Sequence, residues 1–393
     1  MRVLHVMNGA SGGAALSTIA LMQELRGHGI TSCVVCNDSG DAAERARLTA
    51  AAEGAALFTP LYLWNRKVRA ATWKRPLLEA RQLWRTGAAL GSTARVAGFA
   101  RAQHADLVHT STLTTPEGAL AARLLGLPHV WHVRELVGPG HPFRLPLEGR
   151  PLGRLLALGA TRLIANSNAS ADALRPWLSA PDRLDVVPNG IDVTTFHCST
   201  GARTAPPAPV VIGMVGNLSS RTKKHGLLLD AVARLAPELP FELRIFGHGA
   251  ESTTDAYVAG LRAQVERLGL GERVHFAGFR ADPVAIMDEL DLLVHPADNE
   301  SFGRALIEAM AAGLPVVGVR GGGVAEIVSH GETGLLAPPD DAAALATCIE
   351  QLLRDPALRA RLGAAGRRRA ESVYSLQACA RGVLDTYQRA LGG

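Results

Sequence analysis

Short apolar runs rich in β-branched residues alternate along the chain with longer segments of helical periodicity. RVLHVM at the start is followed by a helix-like stretch from about Ala14 to Arg26 and then by TSCVVCN. DLVHT, HVWHV, RLIANS and LDVVPN continue the series. After HCSTGARTAPPAP, His197 to Pro209, the pattern restarts with VVIGMVGN, FELRIFG, RVHFAGF and LLVHP. Near-continuous apolar strands are buried on both faces, and their alternation with helices predicts parallel sheets between helical layers. The Pro, Gly, Ser and Thr of the interval mark a linker. The pattern predicts an α/β chain of two Rossmann-like domains facing each other across a cleft, residues 1–200 and 208–375, with a last helix over 376–393 free to return to the N-terminal domain.

Composition agrees with two cores, because 393 residues exceed one ordinary core and 47% of them are apolar. No run of about 18 apolar residues occurs, and MRVLHVMNGASGGAAL lacks a long apolar core before a cleavage site, so a cytoplasmic location is expected. Cysteines at 33, 36, 198, 348 and 379 are odd in number and scattered, which fits a reducing compartment. Cys33 and Cys36 have redox spacing, yet they lie in a strand-like run whose side chains alternate between faces.

Charge changes the picture in one place. Residues 61–103 carry nine Lys or Arg against Glu79 alone, within a net charge of +5 for the whole chain. This points to a local anionic partner and not to a nucleic-acid-binding surface. Pro76 suits the first turn of a helix with Leu77, Leu78, Arg81, Trp84 and Arg85 on one broad side, and Trp64 and Trp73 lie nearby. Two readings follow. One is a peripheral contact with the inner face of a membrane, or a lipid-linked acceptor; the other is an amphipathic helix packed on the first domain with solvated arginines.

The candidate chemistry centres on HPADNESFGRALIEAMAAGLPVV, His295 to Val317, which reads loop, helix, strand. Glu300 precedes the helix and Glu308 lies within it. The N–H groups of Ser301, Phe302 and Gly303 can point at an anion, while the carboxylates accept bonds from hydroxyls. Hydroxyl acceptors beside phosphate donors suit a sugar nucleotide. NGASGGAAL, with Gly12 and Gly13 opening a helix, and the FGHG turn, with Gly247, are further places where a phosphate can approach the backbone.

His295 to Val317, GGGVAEIVSHGETGLL (Gly321 to Leu336), VVPNGID (Val186 to Asp192) and GASGGAA (Gly9 to Ala15) together resemble the retaining glycosyltransferases of family 4. The resemblance covers nearly the whole chain and implies the GT-B fold. It also implies that Glu308 holds ribose hydroxyls and that Glu300 meets the donor sugar. GNLSSRTKKHGLLLDAVARL resembles the family's phosphate-binding segment, and counting back from Asp230-Ala231 gives the lysine position to Lys224. Asn217 stands where the family has Arg, so Arg221 or Lys223 is expected to supply the missing charge. A cleft-facing His of the family falls on His132, with Arg134 as the competing match. Glu135 is either a base for the acceptor or the partner of a nearby Arg.

The expected activity is a hexosyltransferase-type transfer from a UDP- or GDP-sugar to a saccharide, lipid-linked or small-molecule acceptor, with retention, in cell-surface polysaccharide or glycoconjugate synthesis. His132, Glu300 and Lys224 form the expected catalytic set. No cofactor beyond the nucleotide sugar is expected, and no metal, since PPDDAA is not a D-x-D motif and reads as a helix start. The rivals are a sugar-nucleotide epimerase of the same architecture and a non-catalytic nucleotide-sugar-binding module.

Overall fold

A computed structural model describes the chain except residues 11, 39, 63–74, 139–140, 142–144, 146, 197–208, 219, 250–251, 253–254 and 393, and the side chains of 75–88. The linker interval at 197–208, Trp64 and Trp73, and the side chains of Arg81, Trp84 and Arg85 thus lie outside the described residues. The chain divides into two units, Met1–Gly190 with Leu376–Gly393, and Ile191–Ser375.

The first unit is built from β1 (Arg2–Met7), α1 (Gly12–Arg26), β2 (Thr31–Cys36), α2 (Ala42–Ala51), β3 (Ala56–Phe58), α3 (Arg75–Ala102), β4 (Leu107–Thr110), α4 (Glu117–Leu125), β5 (His129–Val133), α5 (Arg150–Gly159), β6 (Arg162–Ala165), α6 (Asn168–Leu174) and β7 (Leu184–Val186). Its strands form a parallel sheet in the order β3-β2-β1-β4-β5-β6-β7. Helix starts follow local chemistry: Asp41 and Glu44 make a reciprocal capping box on α2, and Ser167 caps α6 through the Ser170 N–H. Cys33 and Cys36 pack into cores on opposite faces of the sheet, and burial raises their thiols to about 11 and about 12.

The second unit contains β8 (Val210–Val215), α7 (His225–Val232), β9 (Phe241–Phe246), α8 (Ala256–Arg267), β10 (Val274–Gly278), α9 (Pro283–Asp288), β11 (Leu292–His295), α10 (Arg304–Ala311), β12 (Val316–Val319), α11 (Val324–Ile327), β13 (Leu335–Ala337), α12 (Ala342–Arg354) and α13 (Pro356–Val373). Its parallel sheet runs β10-β9-β8-β11-β12-β13. The unit starts at Ile191 and not near residue 200. The Ile191 N–H donates to Tyr374 O at 3.0 Å, and Val193 and Phe196 join the second core. Apolar side chains set that boundary, whereas turn composition marked the interval after it.

A final helix, α14 (Leu376–Leu391), lies on the first sheet. Cys379, Ala380, Val383, Tyr387 and Ala390 recur at three- and four-residue spacing, so they form one stripe, which is buried with Val3, Leu107, Val130 and Ile164. Among the described residues no helix is long and apolar enough to cross a membrane.

Candidate active site

In the second unit the strand order reverses between β8 and β11, the place where loops at the carboxyl ends of a parallel sheet part and leave room for a ligand. The loop after β11 carries Glu300, Ser301, Phe302 and Gly303 into α10. Gly303, at φ +114°, takes the left-handed conformation that lets the chain turn into the helix. The Phe302 ring is buried against Tyr374 and anchors the loop. Among the described residues, no backbone carbonyl accepts from the N–H groups of Ser301, Phe302 or Gly303. They remain donors for an anion beside a helix N-terminus.

Gly321, Gly322 and Gly323 explain how this loop is held, a role the sequence reading did not assign. A Cβ at 321 would lie 2.2 Å from Asp298 O, one at 322 would lie 2.2 Å from Glu300 O, and one at 323 would lie 2.6 Å from Ser301 O. The Gly323 N–H donates to Glu300 O at 2.8 Å. The run of three glycines was the available signal, since it follows a strand and lets another backbone approach closely.

Glu300 is mostly buried and ion-paired with Lys223. Burial pushes its carboxyl pKa up, but the Lys223 charge, a weaker pull from His295 and the Lys223 hydrogen bond bring the net direction down. His295 Nε2 lies 4.0 Å from Glu300 Oε1, and burial lowers His295 to about 4, so the imidazole is neutral. Glu308 is almost fully buried and accepts from Arg304 Nε at 2.7 Å across one helical turn. Burial raises its pKa against the opposing charge of Arg304.

The loop after β8 separates the two lysines. Lys223 lies along Gly216, where an added Cβ would meet its Cγ at 3.2 Å, and reaches Glu300. Lys224, given the lysine position by counting, is not brought to Glu300. It sits at φ +52°, a left-handed position that glycine would favour, and its Nζ donates to Asp298 and Asp340, each at 2.7 Å. Arg221 lies over the Tyr257 ring at 5.1 Å and lines, with Lys224, Gln264 and Asp340, a cavity of about 410 Å³. Gly247 has a packing reason: a Cβ there would lie 1.9 Å from Gly216 O, and its N–H donates to Gly278 O.

In the first unit the strand order reverses between β1 and β4. Gly12, at φ +81°, and Gly13 are exposed where α1 begins. Arg134, just past β5, donates from Nη1 to Ala14 O at 3.2 Å and so reaches this same turn. His132 is fully buried and held well below its ordinary pKa by burial and then by Arg134. Glu135 accepts from Thr112 Oγ1, from Leu113 N–H at 3.2 Å and from Arg134 N–H at 3.0 Å, which fixes the loop after β4.

Residues 11–195 match the model of glycosyltransferase family 4, and residues 202–369 match that of glycosyl transferases group 1. A D-inositol 3-phosphate glycosyltransferase of Frankia alni is 32% identical over 312 residues, which cover 73% of this chain and 74% of that protein. The chain belongs to the family 4, group 1 glycosyltransferases. The namesake enzyme of Streptomyces avermitilis is 33% identical over 73% of this chain and 66% of its own, and that of Rhodococcus opacus is 33% identical over 58% and 53%. The chain therefore spans about half to two thirds of the length of these two relatives. Anabaena Alr3699/HepE, solved with UDP-glucose, superimposes with a TM-score of 0.77 at 25% identity over 99% of both chains. Sucrose-phosphate synthase of Thermosynechococcus elongatus, at 21% identity and a TM-score of 0.74, shares the GT-B fold.

Proposed function

We propose that this glycosyltransferase moves a sugar from a nucleotide diphosphate sugar to an acceptor hydroxyl or amine with retention at the anomeric carbon. The observation that carries the reading is the Lys223–Glu300 pair beside the N–H groups of Ser301, Phe302 and Gly303. It combines a cation and backbone donors for a diphosphate with a carboxylate for sugar hydroxyls. The likeness to HepE, solved with UDP-glucose, supports the same donor class. In the reaction the anomeric C–O bond to the diphosphate breaks and a bond to the acceptor atom forms on the same face. The acceptor's proton leaves with the diphosphate. Negative charge develops on the leaving oxygen, where Lys223 and the loop N–H groups stabilise it without a metal ion. Glu308 holds the ribose hydroxyls, and the acceptor is a saccharide, a lipid-linked molecule or a small molecule.

The test is a panel of nucleotide sugars scored first by thermal shift, because a ligand that binds only the folded state raises apparent stability. Nucleoside diphosphate released only when acceptor is added, with an unchanged anomeric configuration in the product, supports the proposal. Release without acceptor, or an inverted product, defeats it.

A further inference from the structure

The first sheet carries a row of buried imidazoles that ends at His132 and to which the chemistry above assigns no role. His5 of β1 and His109 of β4 are register partners, and Tyr387 of α14 covers this face. His109 Nδ1 is 2.6 Å from Tyr387 Oη, and His109 Nε2 is 3.2 Å from His132 Nδ1. His5 Nε2 lies 3.3 Å from Ser32 Oγ. Tyr387 and all three histidines are at most 1% exposed. Among the described residues, His132 Nε2 is buried with no hydrogen-bond partner.

A neutral imidazole has one N–H and one acceptor nitrogen, so the row from Tyr387 to His132 has two self-consistent proton patterns. In the first, Tyr387 donates to His109 Nδ1, His109 Nε2–H donates to His132 Nδ1, and His132 ends in an Nε2–H. In the second every proton is reversed. The Tyr387 hydroxyl hydrogen then has no acceptor and His132 ends in a bare nitrogen. An unpaired buried donor is costly, and the second pattern leaves both that donor and the Nε2 lone pair unmet. The first leaves only the His132 N–H, which a ligand oxygen can accept.

We propose that Tyr387 and His109 are positioning residues that hold His132 as the Nε2–H tautomer, so that it presents a neutral hydrogen-bond donor to a ligand oxygen and does not act as a base. The identity of that oxygen rests on the glycosyl-transfer reading; the proton pattern does not. The titratable groups whose charges act on the row are His5 from β1, His129 of β5, Arg134 just past β5, and Cys379 from α14. Arg134 and burial both oppose an imidazolium at His132. The last helix of the chain is thereby tied to the tautomer of a residue on β5.

The experiment is a two-bond ¹⁵N–¹H spectrum of the full chain labelled with ¹⁵N-histidine, with His109 and His132 assigned from the spectra of His109→Gln and His132→Gln. Both residues are expected as Nε2–H tautomers in the unmodified protein. Tyr387→Phe removes the donor that breaks the tie, so both should become tautomer mixtures. The turnover rate should fall in proportion to the lost Nε2–H fraction, roughly 2- to 10-fold. Val383→Ala, which disturbs the same helix face, should leave the tautomers unchanged. An Nδ1–H tautomer of His132 in the unmodified protein overturns the proposal, as does a Tyr387→Phe spectrum with unaltered tautomers. The expected tautomers in a chain that transfers no sugar would sustain the row and reject the glycosyl-transfer reading.

Discussion

Lys223 donates to Glu300 across 77 positions of sequence, joining the loop after β8 to the loop after β11. These are the two loops that part at the sheet's reversal point. The pair does two things before any ligand arrives. It keeps a mostly buried carboxylate ionised, and it holds an ammonium group beside the free N–H groups of the Ser301 to Gly303 turn.

Lys223→Ala is expected to lower the turnover rate roughly 10- to 1000-fold, by analogy with removing one donor to a developing anion. Lys224→Ala should cost far less, because two carboxylates, Asp298 and Asp340, more than balance that ammonium's charge and hold it away from Glu300. Without Lys223, burial of Glu300 is opposed only by the weaker pull of His295, so the acid limb of the rate profile should move to higher pH. Steady-state kinetics of both variants across pH decide the matter. A more damaging Lys224 substitution would contradict it.

Glu308→Ala should weaken nucleoside diphosphate binding, since ribose contacts change little during the reaction. Glu300→Ala should instead depress turnover with the intact donor. Calorimetric titration with the diphosphate alone separates the two. Unchanged affinity in Glu308→Ala rules out the ribose assignment.

Gly322→Ala places a methyl group 2.2 Å from Glu300 O at a backbone φ of +46°. The loop must shift, and the strain is expected to destabilise the second unit by about 1–3 kcal/mol. Activity should drop much further than that, because Glu300 and the adjacent N–H groups move with the loop. Urea unfolding and initial rates, measured together, test the disproportion.

Acid should destabilise the protein through its buried histidines. Burial lowers His129, His225 and His295 to about 4 and His5 to about 3. The unfolded chain therefore binds more protons below the ordinary histidine value of 6.5. Stability is fully present above that value and is lost as pH falls from about 6.5 towards 4, by about 1.4 kcal/mol per pH unit for each histidine. His129 is fixed by Gly159 O at 2.6 Å and Thr110 Oγ1 at 2.8 Å, so His129→Gln should flatten the slope of unfolding free energy against pH. An unchanged slope removes His129 from this account.

The sequence by itself determined the two parallel sheets, because near-continuous apolar strands between amphipathic helices have few other ways to bury both faces. It also determined the turn from Glu300 into α10, since glycine before a run of helix formers and Gly313 after it act over a few residues. What it left open depends on side chains far apart in the chain. Lys223 and Lys224 are adjacent in sequence, and only the left-handed backbone at Lys224 sends one to Glu300 and the other to Asp298 and Asp340. Gly321 to Gly323 acquire their role only when the Asp298 to Ser301 backbone is laid against them. Tyr387 meets His109 only because α14 returns to the first sheet, at a separation of 278 positions. Local propensity and periodicity act over one or two turns of chain, whereas these contacts exist only once two loops, or a helix and a sheet, have been packed together.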